Sequence, residues 1–197
     1  MEHTPPFNIT CVLFAGGKSS RMGQDKALLP FGKENSLAHY QYKRLKPLFK
    51  DIYIVSKEAK FDFRAKLILD IPTAEVYAPT AGFVTVFQEL NDERLFILSV
   101  DTPFVTDKEI AKLLENDNVE LDAVIAKTLS GSQPMCGIYH RSLLPAFMRM
   151  LKENNHRLGQ VLKVSKSKFV MFEEEEAFAN LNHPEEYEVA RRRVNTR

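Results

Sequence analysis

The chain has 197 residues and a formal net charge of +1, and 44% of its residues are hydrophobic while 27% are charged. This composition argues against a disordered chain, and the near-neutral charge provides no global attraction to nucleic acid or membranes. Any selectivity for anions must therefore come from a local site. With no internal repeat or low-complexity stretch, we expect one domain over residues 1–197, in which residues 1–8 form a loose N-terminal tail.

Cysteine content and hydropathy indicate in which cellular compartment the protein is expected. The two cysteines, Cys11 and Cys136, each lie in an apolar run, which suits small core residues in a reducing environment better than a disulfide scaffold. The N-terminus lacks the apolar segment of a secretory signal, and no apolar run approaches the roughly 20 residues that a membrane helix needs. We therefore expect a cytoplasmic protein with no membrane or nucleic-acid partner.

Strands and helices alternate through the first two thirds of the chain. Strands are predicted at residues 9–14, 52–55, 67–69 and 95–100, and the last of these is the most continuous apolar run and the expected central strand. Helices are predicted after Ser36, after Gly82, and behind a capping box formed by Thr106 and Glu109. This alternation is typical of a parallel sheet wound with helices.

The last third is less regular. Strands are predicted at residues 121–126, 135–139 and 169–172, a helix at residues 143–151, and an extended segment at residues 178–182 before a terminal helix that begins near Pro184. The predicted class is α/β, a three-layer Rossmann-like fold with a mostly parallel central sheet. Ligands of such sheets bind outside the carboxyl ends of the strands, where the loop after Ala15, Asp70 and Asp101 would converge.

The most informative stretch is residues 14–26, FAGGKSSRMGQDK, in which a buried strand breaks into a glycine-rich, basic loop. Glycines let backbone N–H groups approach a phosphate, and Arg21 and Lys26 supply cations. A Walker A loop is excluded because Val12 stands where that pattern needs glycine, and the spacing of the glycines does not fit G-x-G-x-x-G. A tight turn alone would explain the glycines but not the cations.

This loop resembles that of nucleotidyltransferases, and most closely that of the molybdenum cofactor guanylyltransferase family, MobA. Families that use CTP or UTP commonly carry Ala-Ala-Gly or Ala-Gly-Ser where this chain has Ala-Gly-Gly, so the paired glycine favours the guanylyl branch. Four further stretches resemble the same family, namely residues 79–82 (PTAG), 101–104 (DTPF), 133–134 (QP) and 178–186 (FANLNHPEE). The last of these is not general among nucleotidyltransferases.

The resemblance implies transfer of GMP from GTP to the phosphate of molybdopterin or its molybdenum form. Its catalytic residues would be Arg21, Lys26 and Asp101, with Asp101 holding Mg²⁺ or Mn²⁺. The implied GTP-binding residues are Leu13, Ala15, Gly16, Gly17, Gly23, Lys26, Ser56, Asp70, Gly82 and Asp101, and those for molybdopterin are Gln133, Pro134, Asn180 and Asn182. Other cofactor-biosynthesis proteins and molybdoenzyme chaperones are further implied partners.

Several residues keep a second interpretation. Asp101 would also suit a turn before Pro103, Asp70 either contacts the ribose or base or caps a loop, and the two asparagines either bind ligand or form Asx turns. The chain also departs from the family pattern, with Phe14 for leucine, Ser56 for asparagine, His183 for threonine, and changes at Ala78 and Thr80. None of these departures removes a charge that the chemistry requires.

Three hypotheses follow from these residues. The first is molybdenum cofactor guanylyltransferase activity. The second is a related nucleotidyltransferase that uses CTP or a different phosphorylated acceptor, and the third is a protein that binds nucleotide or pterin without catalysis. Selective stabilisation by GTP separates the first from the second, and release of pyrophosphate separates both from the third.

Overall fold

The computed structural model of this protein describes residues 5–16, 23–70 and 79–196. In these ranges the strands are β1 (Phe7–Phe14), β2 (Phe49–Ser56), β3 (Lys66–Leu69), β4 (Arg94–Ser99), β5 (Ala123–Thr128), β6 (Gly131–His140) and β7 (Ser167–Met171). The α-helices are α1 (Leu37–Leu45), α2 (Pro79–Glu89), α3 (Asp107–Glu115), α4 (Leu144–Lys152), α5 (Leu158–Val164) and α6 (Pro184–Asn195). Short 3₁₀ turns cover Lys26–Leu28, Arg141–Leu143 and Glu175–Phe178.

The strands form a single seven-stranded sheet in the order β3-β2-β1-β4-β6-β5-β7. The strand β6 runs antiparallel to both of its neighbours, and the other pairings are parallel. The prediction of a mostly parallel sheet is therefore confirmed. The strand β4 occupies the middle of the sheet, as its continuous apolar sequence predicted, because a strand buried on both faces cannot alternate with polar residues.

Helices cover both faces of the sheet and give the predicted three layers. One apolar cluster joins β1 residues such as Leu13 to α1, α3 and α6, while the other joins Phe14 and its neighbours to α2, α4 and α5. Leu13 and Phe14 lie in opposite clusters because successive side chains of a strand point to opposite faces. Each face of β1 is therefore packed against helices.

The helix starts follow the expected capping chemistry. The Ser36 hydroxyl accepts a hydrogen bond from the backbone N–H of His39 at 3.2 Å at the start of α1. The predicted capping box at α3 is present, since the backbone N–H of Thr106 donates to the Glu109 carboxylate at 2.7 Å. Pro184 is the first residue of α6, where its missing N–H costs nothing.

Some predicted boundaries are wrong. Strand β1 begins at Phe7, so Phe7 and Asn8 belong to the sheet rather than to a tail. Gly82 lies inside the first turn of α2 instead of preceding the helix, and Phe178 ends a 3₁₀ turn, so the extended segment begins at Ala179. Helix α5 was not predicted, because a helix of seven residues is too short for its apolar periodicity to stand out.

The two cysteines are buried and unpaired, as predicted for core residues. Burial raises the pKa of the Cys136 thiol to about 12 and raises the pKa of the Cys11 thiol as well. Neither is therefore a thiolate near neutral pH. None of the helices in the described ranges has the length and apolarity required to cross a membrane.

Candidate functional site

Several predicted site residues in the described part of the chain lie at one edge of the sheet. Strands β1 to β4 are parallel, so their carboxyl ends lie at this edge, and β6 begins there because it runs antiparallel to β4. From β1 the chain first adds strands on one side, β2 and β3, and then β4 on the other. Such a reversal opens a crevice above the first strand, which is where ligands bind in open α/β sheets.

The core of the site is a contact between three distant parts of the chain. The Lys26 ammonium donates to the Asp101 carboxylate at 2.6 Å and to the side-chain oxygen of Asn182 at 3.0 Å. The Lys26 and Asp101 side chains are 17% and 15% exposed, so the pair is shielded but still reachable from solvent. Three residues that the sequence assigned to catalysis and pterin binding are therefore in direct contact.

Asp101 is held in place from two further directions. The Ser99 hydroxyl donates to the second carboxylate oxygen of Asp101 at 2.6 Å, and the backbone N–H of Leu181 donates to the Asp101 carbonyl at 2.9 Å. An ionised carboxylate has about four lone-pair positions, so these bonds leave it able to accept more. The loop-capping alternative for Asp101 receives no support from its side-chain contacts, which are with Ser99 and Lys26.

Lys26 stands at the start of a 3₁₀ turn that Asp25 caps. One carboxylate oxygen of Asp25 accepts from the backbone N–H of Ala27 at 3.0 Å. The other oxygen of Asp25 is ion-paired with Lys60, whose ammonium also donates to the Ala15 carbonyl at 3.2 Å. Lys60 therefore joins the two ends of the glycine-rich loop.

A second group of polar residues lies at the ends of β2 and β3 and in α2. The side-chain hydroxyls of Ser56 and Thr80 are fully buried and have no hydrogen-bond partner among the described residues. Asp70 follows β3 directly, and its carboxylate accepts from the Thr85 hydroxyl of α2 at 3.1 Å. The backbone N–H of Asp70 donates to the Ser56 carbonyl at 2.9 Å, which ties these two predicted residues together.

Gly82 has a packing reason to be glycine. A Cβ atom at this position would lie 2.6 Å from the Phe14 ring, which is far inside van der Waals contact. The Phe14 ring in turn packs against Phe83, with the ring centroids 5.1 Å apart. The close approach of α2 to the end of β1 therefore depends on Gly82, whatever contact it makes with a nucleotide.

The four predicted pterin residues lie in two parts of the chain, strand β6 and the segment before α6. Gln133 and Pro134 lie near the start of β6, on the same sheet edge as Asp101, and the Pro134 carbonyl accepts from the Tyr139 hydroxyl at 2.6 Å. Asn180 lines an open cavity of about 570 Å³ together with Phe104 and Arg193, and neither Lys26 nor Asn182 lines it. Only Asn182 of these four is in hydrogen-bond contact with Lys26 or Asp101 among the described residues.

Most of the remaining predicted residues lie in or next to the glycine-rich loop. Gly17 and Arg21 lie outside the described residues, as does Ala78. Gly16 is exposed, and Gly23 adopts a φ of +67°, the left-handed region that glycine enters without strain. The Leu13 side chain is fully buried in the core, and the Ala15 backbone N–H donates to the Val55 carbonyl at 2.9 Å.

Sequence reasoning missed three residues of this site. Ser99 lies two residues before Asp101, a spacing that places both at the end of one strand. Thr85 lies one turn into a predicted helix, and nothing in its sequence context marks it. Lys60 sits in a polar stretch, residues 57–60, that is typical of a solvated surface loop.

The donor set is compatible with Mg²⁺. No group of three or more His, Cys, Asp or Glu side chains able to hold a metal occurs within the described ranges. Mg²⁺ often binds through one or two carboxylates together with substrate phosphates, so a cage made entirely of protein is not required. Asp101, partly exposed at the crevice and not fully saturated, fits this mode of binding.

The chain is similar to known proteins over most of its length. The family model described as MobA-like NTP transferase domain matches residues 11–169. The chain is 40% identical over 180 residues to a molybdenum cofactor guanylyltransferase of Campylobacter jejuni, covering 91% of this chain and 94% of the relative. It is 35% identical over 188 residues to the protein of the same name from Helicobacter pylori, with 93% and 92% covered.

Solved structures show the same fold. The molybdopterin-guanine dinucleotide biosynthesis protein A of Archaeoglobus fulgidus superposes with a TM-score of 0.82 at 17% identity, covering 96% of this chain and all (100%) of that one. A protein of Aquifex aeolicus superposes with a TM-score of 0.72 at 29% identity, covering 88% and 93%. Because the family match extends over most of the chain and includes the loop, the β4 end and their strands, this chain belongs to the family of MobA-like NTP transferases.

Proposed function

We propose that this protein transfers GMP from GTP to the terminal phosphate of molybdopterin or its molybdenum form. An oxygen of the acceptor phosphate attacks the α-phosphorus of GTP, the bond from that phosphorus to the bridging oxygen breaks, and pyrophosphate leaves with the electron pair. The observation that carries the proposal is the contact of Lys26 with both Asp101 and Asn182 at the carboxyl ends of the strands. The names of the relatives support GTP and molybdopterin as the substrates.

Positioning and electrostatics are sufficient for such a reaction, and no protein nucleophile is needed. Lys26 would bind the triphosphate, and the glycine-rich loop with Arg21 would supply further N–H groups and charge. Asp101 would hold Mg²⁺, which when bound offsets charge on the phosphate oxygens. The Ser99 hydroxyl keeps the Asp101 carboxylate oriented toward this task, since it donates to the oxygen that Lys26 does not contact.

The buried hydroxyls of Ser56 and Thr80 support a nucleoside pocket beside β2. A buried hydroxyl without a partner costs free energy, and a polar ligand restores the missing hydrogen bond. Guanine and ribose both present donors and acceptors, so we assign this side of the crevice to the nucleoside. Asp70, whose carboxylate accepts from Thr85, would contribute an acceptor to the same pocket.

The acceptor would lie on the other side of Lys26. Asn182 contributes an amide beside the Lys26 ammonium, and Gln133 and Pro134 stand at the start of the neighbouring strand β6. Asn180 would extend this surface along the 179–182 segment. With two buried, unpaired cysteines the chain is suited to the cytoplasm, where we place the reaction.

The decisive assay measures pyrophosphate release from GTP, CTP or UTP in the presence of Mg²⁺ and molybdopterin. We expect release with GTP only, together with selective thermal stabilisation by GTP. Release with CTP in place of GTP would replace the guanylyl assignment with a cytidylyl one, and equal release with both would remove the base selectivity. A folded protein that binds GTP but releases no pyrophosphate would instead be a binding protein.

A further inference from the structure

Lys60 occupies a position that no part of the sequence marks. It follows β2 in the connection to β3, and its side chain is only 12% exposed although it carries a charge. Buried lysines without partners are rare, because the desolvated ammonium needs compensation. The compensation here comes from two groups at once, the Asp25 carboxylate and the Ala15 carbonyl.

These two partners flank the phosphate loop. Ala15 is the residue that follows β1, and Asp25 immediately precedes Lys26, so residues 16–24 are enclosed between them. A single ammonium that bonds to both holds the two stems of this loop together. The described contacts therefore fix Asp25, the residue before Lys26, relative to the end of β1.

Asp25 passes this constraint on to Lys26. The carboxylate oxygen that does not contact Lys60 accepts from the Ala27 N–H at 3.0 Å, and the Asp25 carbonyl accepts from the Leu28 N–H at 3.0 Å. Both bonds define the 3₁₀ turn that starts at Lys26. The orientation of Asp25 therefore fixes the backbone position from which the Lys26 side chain extends. The ammonium at the far end of that side chain lies 2.6 Å from the Asp101 carboxylate.

We infer that Lys60 is a positioning residue for nucleotidyl transfer, which closes the base of the phosphate loop by bridging Ala15 to Asp25 and thereby orients Lys26. The inference rests on the proposed function only in taking the loop as the triphosphate site. Lys60 acts through Asp25 rather than by touching the nucleotide.

The first experiment compares Lys60→Met with Lys66→Met in ligand-free protein. Lys66 is a matched control, since like Lys60 it pairs with an aspartate, here Asp51, but it is 53% exposed and far from the loop in sequence. We expect amide hydrogen exchange at Ala27 and Leu28 to accelerate by about 10- to 100-fold in Lys60→Met, the loss that one charge-assisted hydrogen bond represents. Lys66→Met should leave exchange there unchanged.

The second experiment is a double-mutant cycle with Asp25→Asn, which removes the charge but keeps an oxygen to cap the turn. The measured quantity is the dissociation constant of GTP with Mg²⁺, together with KM and kcat for pyrophosphate release. Lys60→Met should weaken GTP binding by about 10-fold or more, and Lys60→Arg should restore part of it. If Lys60 acts through Asp25, the double variant loses no more than Lys60→Met alone.

Three results would overturn the inference. Additive losses in the cycle would show that Lys60 contacts the nucleotide itself. If Lys60→Met weakens GTP binding but leaves hydrogen exchange at Ala27 unchanged, Lys60 likewise contacts the nucleotide directly. Unchanged exchange and unchanged binding in Lys60→Met would show that the bridge has no role. Failure to release pyrophosphate from GTP would refute the proposed function. Hydrogen exchange is measured without ligand, so it would still show whether Lys60 holds the turn at Lys26 in place.

Discussion

The two sides of the crevice differ in whether their polar side chains have hydrogen-bond partners. Around Lys26 the charged groups are paired with one another: the Asp101 carboxylate accepts from Ser99 and Lys26, and the Lys26 ammonium also donates to Asn182. The buried hydroxyls of Ser56, at the end of β2, and of Thr80, in the first turn of α2, have no partner in the described part of the chain. One side is internally compensated, whereas the other leaves hydrogen bonds unmade.

This difference separates two kinds of work. A charged cluster that is already arranged does not have to reorganise when charge develops during a reaction, which is how preorganised electrostatics lower a barrier. An unmade hydrogen bond in a buried place costs about 1–3 kcal/mol, and a ligand that completes it regains that amount as affinity. The Lys26 side is therefore suited to chemistry, and the Ser56 side is suited to recognition. Substitutions on the two sides should accordingly fail in different ways.

The largest effect is expected for Asp101→Ala. Removing this carboxylate leaves Lys26 and Ser99 without their shared partner and removes the proposed metal ligand, so kcat for pyrophosphate release should fall by about a thousandfold. The fold should survive, because the Lys26–Asp101 pair is partly exposed and not part of the apolar core. Steady-state kinetics and thermal unfolding check the two halves of this prediction. Turnover within a few-fold of the unmodified chain would remove Asp101 from the mechanism.

Lys26→Met should have the next largest effect. The change keeps the length of the side chain but removes the cation, and we expect kcat/KM to fall by about a hundredfold, in line with the loss of one charge-assisted contact in the transition state. Lys43→Met is the control, since Lys43 pairs with Glu34 at 2.8 Å but is 67% exposed. Equal kinetics for the two variants would contradict the role of Lys26.

Asn182→Ala tests the assignment of the acceptor side. Its amide oxygen lies 3.0 Å from the Lys26 ammonium, so its loss should raise KM for molybdopterin by about tenfold, the value of one charge-assisted hydrogen bond. The dissociation constant of GTP should change much less. Isothermal titration with GTP and kinetics with varied molybdopterin provide the comparison. A larger loss for GTP than for the acceptor would reverse our division of the crevice.

Ser56→Ala should have the smallest effect and the most diagnostic one. Because the Ser56 hydroxyl is buried and has no partner among the residues that the structure describes, its removal should leave the free energy of unfolding unchanged or slightly higher, while GTP binding weakens by about five- to tenfold. Ser36→Ala is the contrasting control, since that hydroxyl caps α1 and its loss should cost about 1 kcal/mol of stability. Denaturant unfolding and GTP titration of both variants measure these quantities. Loss of stability in Ser56→Ala would mean that its hydroxyl is satisfied.

Much of the fold follows from local sequence. Continuous apolar runs predicted β1 and β4 because a strand buried on both faces has no room for polar residues. The capping box of Thr106 and Glu109 predicted α3 because its hydrogen bonds form within one turn. The reversed direction of β6 was not predicted, since strand direction depends on the path of the chain between strands and leaves no periodic pattern in the strand itself.

Some residues of the candidate site could be predicted from the sequence, and others could not. Lys26, Asp101 and Asn182 were identified from motifs, and the structure joins all three. Lys60 was not identified, because its role depends on the close approach of Ala15 and Asp25, which only the folded chain creates. The lack of a described hydrogen-bond partner for the Ser56 hydroxyl could not be predicted either, since the neighbours of a serine in space decide whether it has one.

The bond from Leu181 to the Asp101 carbonyl also has a consequence for the order of events during synthesis. All described strands end by Met171, yet Asn182 reaches Lys26 across 156 positions of sequence. A nascent chain that has emerged only as far as β7 already has every strand of the sheet but lacks the segment that braces the Asp101 loop. The described strands can thus be synthesised before the contact between Lys26 and Asn182 can form, so completion of the proposed site has to follow synthesis of the sheet.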